Sequence, residues 1–304
     1  MSLHDDLTRK LAAAVIDGGL VPGTALPSVR RLAAEEESSP TTVQRAYVAL
    51  ARAGVVVLAE RRAARVAPGG ELAARRLLRA GAAFRLAGSD DPGLSLLLAE
   101  AGDEIVRVGA SGSFRGLTAL WRNDADGAAL HLRHRDGTYN APFARALLAG
   151  REPVLVHLWQ REQGLIVPTG NPLGLRDAAA LQRARVARRP RGTGTRTLLD
   201  RLLLDAGGTP EAVVGPEVEL HLDVAAAVAT GEADVGLGLR SAALTFALDF
   251  VPLVSEPFEI ATTRTQSGGL EPLLRALARP DVRGHVEALG GYDLGRAGDV
   301  VPVG

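Results

Sequence analysis

The sequence predicts an N-terminal winged helix-turn-helix of α+β class followed by a larger α/β domain, and three observations predict it. Between Val21 and Val56 two short helical patterns flank a tight break and run into an apolar hairpin. From Gly81 onward, short apolar runs alternate with helical stretches, the pattern of a parallel sheet covered by helices. Three loops rich in small and hydroxyl residues open helices directly after strands, where open α/β sheets bind ligands.

Taken in order, Leu3, Leu7, Leu11 and Val15 recur at helical spacing, and Gly18-Gly19 ends that first helix. Pro22-Gly23 turns the chain. Ser28 caps a second helix to about Glu36, with Val29, Leu32 and Ala33 facing inward. Ser39 and Pro40 suit the cap and first turn of a third helix, whose buried stripe is Val43, Ala46, Tyr47, Leu50 and Ala51. Thr41, Thr42, Gln44 and Arg45 face outward near its start, where a recognition helix meets base edges and phosphates. Gly54 ends the helix, and residues 55–59 and 65–68 read as a hairpin tipped by Glu60-Arg61-Arg62.

The order PGTALPSVRRLAAE, SPTTVQRAYVALARAGVV and Arg-rich hairpin, over about residues 3–68, resembles the winged-helix domain of GntR-type regulators. The resemblance implies a homodimer bound to operator DNA, with contacts from Ser28, Arg30, Thr41, Thr42, Gln44, Arg45, Arg61, Arg62 and Arg65. Glu36-Glu37-Ser38 departs from the apolar–Gly–apolar turn usual in that family, Pro40 stands where Arg is common, and the hairpin tip reads ERRAAR. Residues 1–70 hold nine Arg or Lys against seven Asp or Glu. Phosphate affinity needs clustered positive charge, so weak binding or dimeric presentation is expected.

In the remainder, strands are predicted at 83–86, 105–109, 128–132, 154–158, 165–167, 185–187, 235–239 and 258–262. Helices are predicted at 93–101, 114–122, 143–148, 196–205 and 224–230. The three loops are Gly88-Ser89-Asp90-Asp91-Pro92, Gly109-Ala110-Ser111-Gly112-Ser113 and Arg191-Gly192-Thr193-Gly194-Thr195-Arg196. Free backbone N–H groups, hydroxyls and the helix dipole converge on an anion at such sites.

The stretches GSDDP, VGASGSFRGLTAL, ALHLRHRDGTYNAPF, EQGLIVPTGNPLGLRD, RPRGTGTRTLLD, ELHLDVAAAVATGEADVGLGL, LDFVPLVSEPFEIATTR and EALGGYDLGRAGDVV follow one another in order. They resemble the periplasmic-binding-protein-like domain carried by some winged-helix regulators and molybdopterin-biosynthesis proteins. The resemblance implies a two-lobed α/β fold of type II. The expected boundaries are a winged helix over 1–69, a linker over 70–80, lobe one over about 81–155 plus 258–304, and lobe two over about 156–257. The ligand is expected between the lobes, against Ser89, Asp90, Ser111, Ser113, Thr193, Gly194, Thr195 and Arg196, with His131, Tyr139, Asn140 and His221 as further contacts. The implied effector is molybdate, tungstate or another small oxyanion, with a polar organic metabolite as the alternative. That family often has His where Asp90 stands; a carboxylate there opposes a simple oxyanion unless it accepts hydrogen bonds from the ligand or stays outside the cleft.

Composition narrows the function classes. Formal net charge is zero over 304 residues, which argues against general polyanion binding. There is no cysteine, so no disulfide, thiolate metal site or cysteine nucleophile. Lys10 is the only lysine, which excludes a core Schiff-base lysine and a Gly-Lys phosphate loop. His131 and His134 lack the spacing of a catalytic zinc helix, and no membrane span or signal peptide is read. The expectation is a cytoplasmic one-component transcription regulator without enzymatic activity, metal or cofactor. The alternative is a ligand-binding protein whose altered winged helix serves dimerisation or protein contact.

Overall fold

The computed structural model describes residues 3–58, 63–79 and 83–303, in two compact units, residues 1–82 and 83–304. The first unit contains α1 (Leu3–Ile16), α2 (Val29–Glu35), α3 (Pro40–Arg52), β1 (Val56–Val57), β2 (Arg65–Val66) and α4 (Gly70–Arg79). Ser28 and Ser39 cap α2 and α3 by accepting the N–H groups of Arg31 and Thr42, which satisfies donors a helix start otherwise leaves free. Leu7, Leu11, Val15, Leu32, Val43, Tyr47 and Leu50 join Val56 and Val66 of the hairpin in one apolar core. Residues 70–80 were expected as a linker; 70–79 instead form α4, with Ala74 in that core and Ala73, Leu77 and Leu78 packed against it. The Gly-Gly start and run of Arg read as linker, but the apolar residues at helical spacing bury against α1.

The turn between α2 and α3 retains a left-handed residue without a glycine. Glu37 sits at φ 46°, and the Ser38 N–H closes the turn on Ala33 O at 2.9 Å. The acids around it are partly neutralised, since Glu35 pairs with Arg31 at 2.7 Å and Glu36 with Lys10 at 2.6 Å. A Cβ in this backbone region costs about 1–2 kcal/mol. Glu37→Gly is therefore expected to raise the stability of this unit by about 1 kcal/mol in urea unfolding of the full chain. A destabilised variant would contradict the strain argument.

The second unit runs β3 (Phe84–Gly88), α5 (Pro92–Ala101), β4 (Ile105–Ser111), α6 (Ser113–Trp121), β5 (Gly127–Leu130), α7 (Ala141–Leu147), β6 (Pro153–Val167), β7 (Val186–Ala187), α8 (Gly194–Asp205), α9 (His221–Ala229), β8 (Val235–Leu239), α10 (Arg240–Thr245), β9 (Asp249–Thr263), α11 (Glu271–Ala278), α12 (Pro280–Ala288), β10 (Tyr292–Asp293) and β11 (Val300–Pro302). Its nine-stranded sheet has the order β4-β3-β5-β9-β6-β8-β7, with β10 and β11 on β6. β6 and β9 pair antiparallel from Pro153↔Thr263 to Val167↔Asp249 and form the spine of both lobes. At one end β3, β4 and β5 pair in parallel; at the other, β7 pairs in parallel with β8. Each end has its own apolar cores, around Leu94, Trp159, Phe258 and Leu273 in lobe one and around Leu165, Leu198, Val224 and Val235 in lobe two. The separate strands expected at 154–158 and 165–167 are one strand. Its polar middle stays extended because Arg161 and Gln163 find buried partners.

Candidate ligand-binding cleft

The three small-residue loops meet where the lobes face each other. Ser89 Oγ and Ser113 Oγ lie 2.6 Å apart, and Ser113 Oγ accepts the His131 N–H. Arg107 props the first loop by donating to the Ser89 and Gly88 carbonyls. Ser111 Oγ donates to Asp90 Oδ1 at 2.8 Å. Across the junction, the Phe114 N–H of α6 on lobe one donates to Gly192 O on lobe two at 3.2 Å, and a Cβ on Gly194 of lobe two would overlap the His131 ring. The lobes are closed on each other.

Asp90 links them. Its Oδ1 accepts from Arg189 Nη2 at 2.6 Å and its Oδ2 from the His221 N–H at 3.2 Å, both on lobe two. Burial pushes this carboxyl up, but His221 and Arg189 beside it, with the Ser111 hydroxyl, outweigh that and hold it well below its usual range.

The floor is a charged network on the crossing strands. Arg161, 1% exposed, donates through Nη1 to Asp91 Oδ2 at 2.5 Å and through Nε and Nη2 to Glu256 Oε1 at 3.1 and 3.0 Å. Its guanidinium lies 4.4 Å from the Phe258 ring centre, and Trp159 stacks on the same Phe258 ring, with centroids 5.7 Å apart. Glu256 Oε1 also receives Gln163 Nε2 and lies 2.9 Å from His131 Nδ1. Burial raises the Glu256 carboxyl, but His131 and Arg161 hold it below its usual value. Burial chiefly lowers His131, and burial with Arg189 beside it lowers His221 well below its usual value. The two rings lie 6.3 Å apart, and both shifts favour the uncharged imidazole.

Six buried polar atoms in this cluster have no hydrogen-bond partner among the described residues: Arg189 Nε, Thr195 Oγ1, both ring nitrogens of His221, Gln163 Oε1 and Glu256 Oε2. Their neighbours come from both lobes and the crossing strands.

The expected site residues divide into groups. Ser89, Asp90, Ser111, Ser113, His131, Gly194, Thr195 and His221 are brought together. Thr193 lies beside them as the cap of α8, accepting the Arg196 N–H. Tyr139 is half-buried, its phenol pushed up to about 12 by burial and then by Glu256. Asn140 holds the chain instead: its Oδ1 accepts the Leu132 N–H and its Nδ2 donates to Glu259. Arg196 is turned away, with its guanidinium on Asp200 at 2.8 Å and Glu217 at 3.3 Å; an acid one helical turn on and a second from the next loop outcompete the cleft. Arg189, Arg161, Gln163 and Glu256 were missed. Arg189, just ahead of the third loop, was the readable one, whereas Glu256 meets Arg161 only because β6 and β9 run side by side. Among the described residues no cluster of metal-ligating side chains is present.

In the first unit, Arg30, Thr41, Gln44 and Arg45 are exposed on α2 and α3. Ser28 is occupied as a cap, Thr42 Oγ1 contacts Ser39 Oγ at 2.8 Å, and Arg65 Nη1 is tied to Gly23 O at 2.7 Å. Arg61 and Arg62 lie outside the described residues.

The neutral imidazoles give the unit a pH-dependent stability. In the unfolded chain both His131 and His221 take a proton below about pH 6.5, while the folded chain resists it. The unfolded state then binds more protons, so stability is full above that pH and falls as pH drops, by up to about 1.4 kcal/mol per pH unit per ring. Urea unfolding at pH 7.5 and 5.5 checks this, and His221→Gln is expected to remove one ring's share of the slope.

The family model described as PBP superfamily domain matches residues 96–278. That described as bacterial regulatory proteins, gntR family, matches residues 3–66. The chain is 33% identical over 195 residues to the uncharacterized protein YvgK of Bacillus subtilis (strain 168), covering 62% of this chain and 63% of that one. It thus spans less than two thirds of that relative's length. It is 31% identical over 109 residues to an uncharacterized protein in the ferredoxin 2Fe-2S gene 5' region of Clostridium pasteurianum, covering 34% of this chain and 96% of that one. Among solved structures, a hydrogen-peroxide-bound cysteine-to-serine mutant of Corynebacterium glutamicum OxyR aligns over 94% of both chains, at 13% identity and a TM-score of 0.50, a likeness of fold alone.

Proposed function

This chain belongs to the PBP superfamily and carries a gntR-family winged helix at its N-terminus, and on that premise we propose that it is a one-component transcription regulator. A small polar ligand closes between the lobes of the second unit, and its binding changes the affinity of the winged helix for operator DNA. Only a ligand that binds one conformation better than the other can drive such a switch.

The observation that carries this reading is the set of unpartnered buried polar atoms at the lobe junction. Each such group costs about 1–3 kcal/mol when left without a hydrogen bond, a cost that a ligand with matching groups relieves. Arg189 Nε donates, Gln163 Oε1 and Glu256 Oε2 accept, and Thr195 Oγ1 and the neutral His221 ring do both. The set suits a compact organic molecule with an acidic group and its own hydroxyl or amino donors. A second reading, molybdate, tungstate or a similar oxyanion, is supported by Ser89, Ser113 and Thr195 beside the starts of α6 and α8. The two differ at Glu256, because a fully ionised oxyanion brings no proton to its free oxygen.

Isothermal titration of the full-length chain against molybdate, tungstate, sulfate, phosphate and a panel of small hydroxy and amino acids separates them. The organic acids are expected to bind; heat from molybdate or tungstate alone would move the assignment to the second reading, and silence throughout would sink both. For the output, fluorescence anisotropy on DNA from the chain's own promoter should show affinity falling steeply with salt, as counterion release requires. Arg45→Ala is expected to weaken binding and reduce the salt slope by about one unit. Binding that ignores salt would instead favour a winged helix used for dimerisation or protein contact.

A further inference from the structure

Asp90 does more than line the cleft. Its carboxylate receives the donors that a carboxylate ligand would receive: a guanidinium N–H from Arg189, a hydroxyl from Ser111 and the first N–H of α9 at His221. Arg189 and His221 lie on lobe two, and Asp90 and Ser111 on lobe one. We propose that these donors form an anion seat which the chain fills with its own Asp90, and that a small ligand carboxylate enters by taking Asp90's place. The inference deepens the ligand reading of the cleft and is independent of DNA binding.

Two features of the seat point to a carboxylate. The Arg189 side chain is 1% exposed and uses only Nη2 on Asp90, while its Nε has no partner among the described residues. Nε–H and Nη2–H form the fork that grips both oxygens of one carboxylate. Asp90, held through Ser111 of the neighbouring loop, engages one tine of that fork and sends its second oxygen to His221 N instead. An untethered carboxylate is free to take both tines. The second feature is the His221 ring beside the seat, 1% exposed and with both nitrogens unpartnered. These remain for the rest of the ligand once its acid group is seated.

The arrangement makes Asp90 a tethered competitor. It bridges the lobes with a group of the chain itself, the Asp90 carboxylate of lobe one receiving Arg189 and the His221 N–H of lobe two. A ligand must outcompete an acid whose effective concentration is set by a short loop. Closure held by Asp90 and closure held by ligand place different groups on Arg189 and α9.

The absence of native cysteine allows paired labels at Ala99→Cys on lobe one and Ala206→Cys on lobe two of the full chain. The inter-label distance distribution is measured with and without sodium acetate, against equal sodium chloride. The otherwise unaltered chain is expected to stay closed in both. Asp90→Ala should raise the open fraction about tenfold, the effect of losing one charge-assisted hydrogen bond or more. Acetate at roughly 10–100 mM should then restore closure where chloride does not. Asp90→Asn should open the lobes in part, because a neutral amide loses the charge-assisted bonds to Arg189 and the His221 N–H, and acetate should rescue it less well than Asp90→Ala, because the amide still competes for the seat. A closed Asp90→Ala, or an open one that acetate does not shift, overturns the proposal. Should Asp90→Ala fail to fold, an open Asp90→Asn supports the proposal and a closed one overturns it. Acetate rescue together with salt-insensitive DNA binding would retain the seat and sink only the regulator.

Discussion

Arg161→Met is expected to lower the stability of the second unit by about 3–5 kcal/mol, the cost of breaking a buried ion network on one side. Arg161 is enclosed by Asp91, Glu256 and the Phe258 ring, and it carries the only guanidinium that both acids contact among the described residues. Methionine fills much of the volume but leaves two buried carboxylates facing each other's loss. Asp91 keeps the Leu94 N–H and the Tyr292 hydroxyl, and Glu256 keeps Gln163 and His131. Neither set supplies a full positive charge, so protonation of an acid is the remaining relief. Arg161→Lys should fall between, keeping charge while losing the two-pronged grip on Glu256. Trp159, stacked on Phe258, reports this region by fluorescence in urea titration. A loss under about 1 kcal/mol for Arg161→Met would mean that the network contributes little.

Gly194→Val acts on closure and not on folding. A Cβ there overlaps the His131 ring, which its Glu256 contact holds in place. Gly194 begins α8 on lobe two, and a valine in a helix's first turn costs only a few tenths of a kcal/mol in propensity. The overlap lies across the lobe junction, so parting the lobes relieves it with both cores intact. The expected result is an open clamshell with a near-normal unfolding midpoint and ligand affinity down about 100-fold, as when the competent state falls to roughly 1%. Small-angle scattering and titration with whichever acid binds the unaltered chain check it. A Gly194→Val chain that closes and binds normally would show that the lobes can approach by another route.

How far the cleft could be read from sequence depended on the range of the interaction. Ser28 and Ser39 cap helices by bonds to residues three positions on, and the strand-loop-helix units around Ser89, Ser111 and Thr195 are similarly local. Arg196 misled because its position in GTGTR pointed at the cleft, while Asp200 and Glu217 draw its side chain elsewhere. Glu256 and Arg161 were passed over since an isolated acid or base inside an apolar strand has no local partner to mark it. The helix over 70–79 was missed because its stability comes from packing on α1, not from a cap.

By itself the sequence determined the two units, their fold classes and the strand-loop-helix units that carry hydroxyl-bearing loops at helix starts, because each follows from apolar periodicity and chain-local hydrogen bonding. Tertiary structure alone decided which charges meet. It set Asp90 on Arg189 across the cleft, ran β6 and β9 together so that Arg161 is neutralised under Phe258, and engaged Arg196 with Asp200 and Glu217. Those pairings join residues about 70 to 100 positions apart, and a buried charge is tolerated only where the fold delivers its partner.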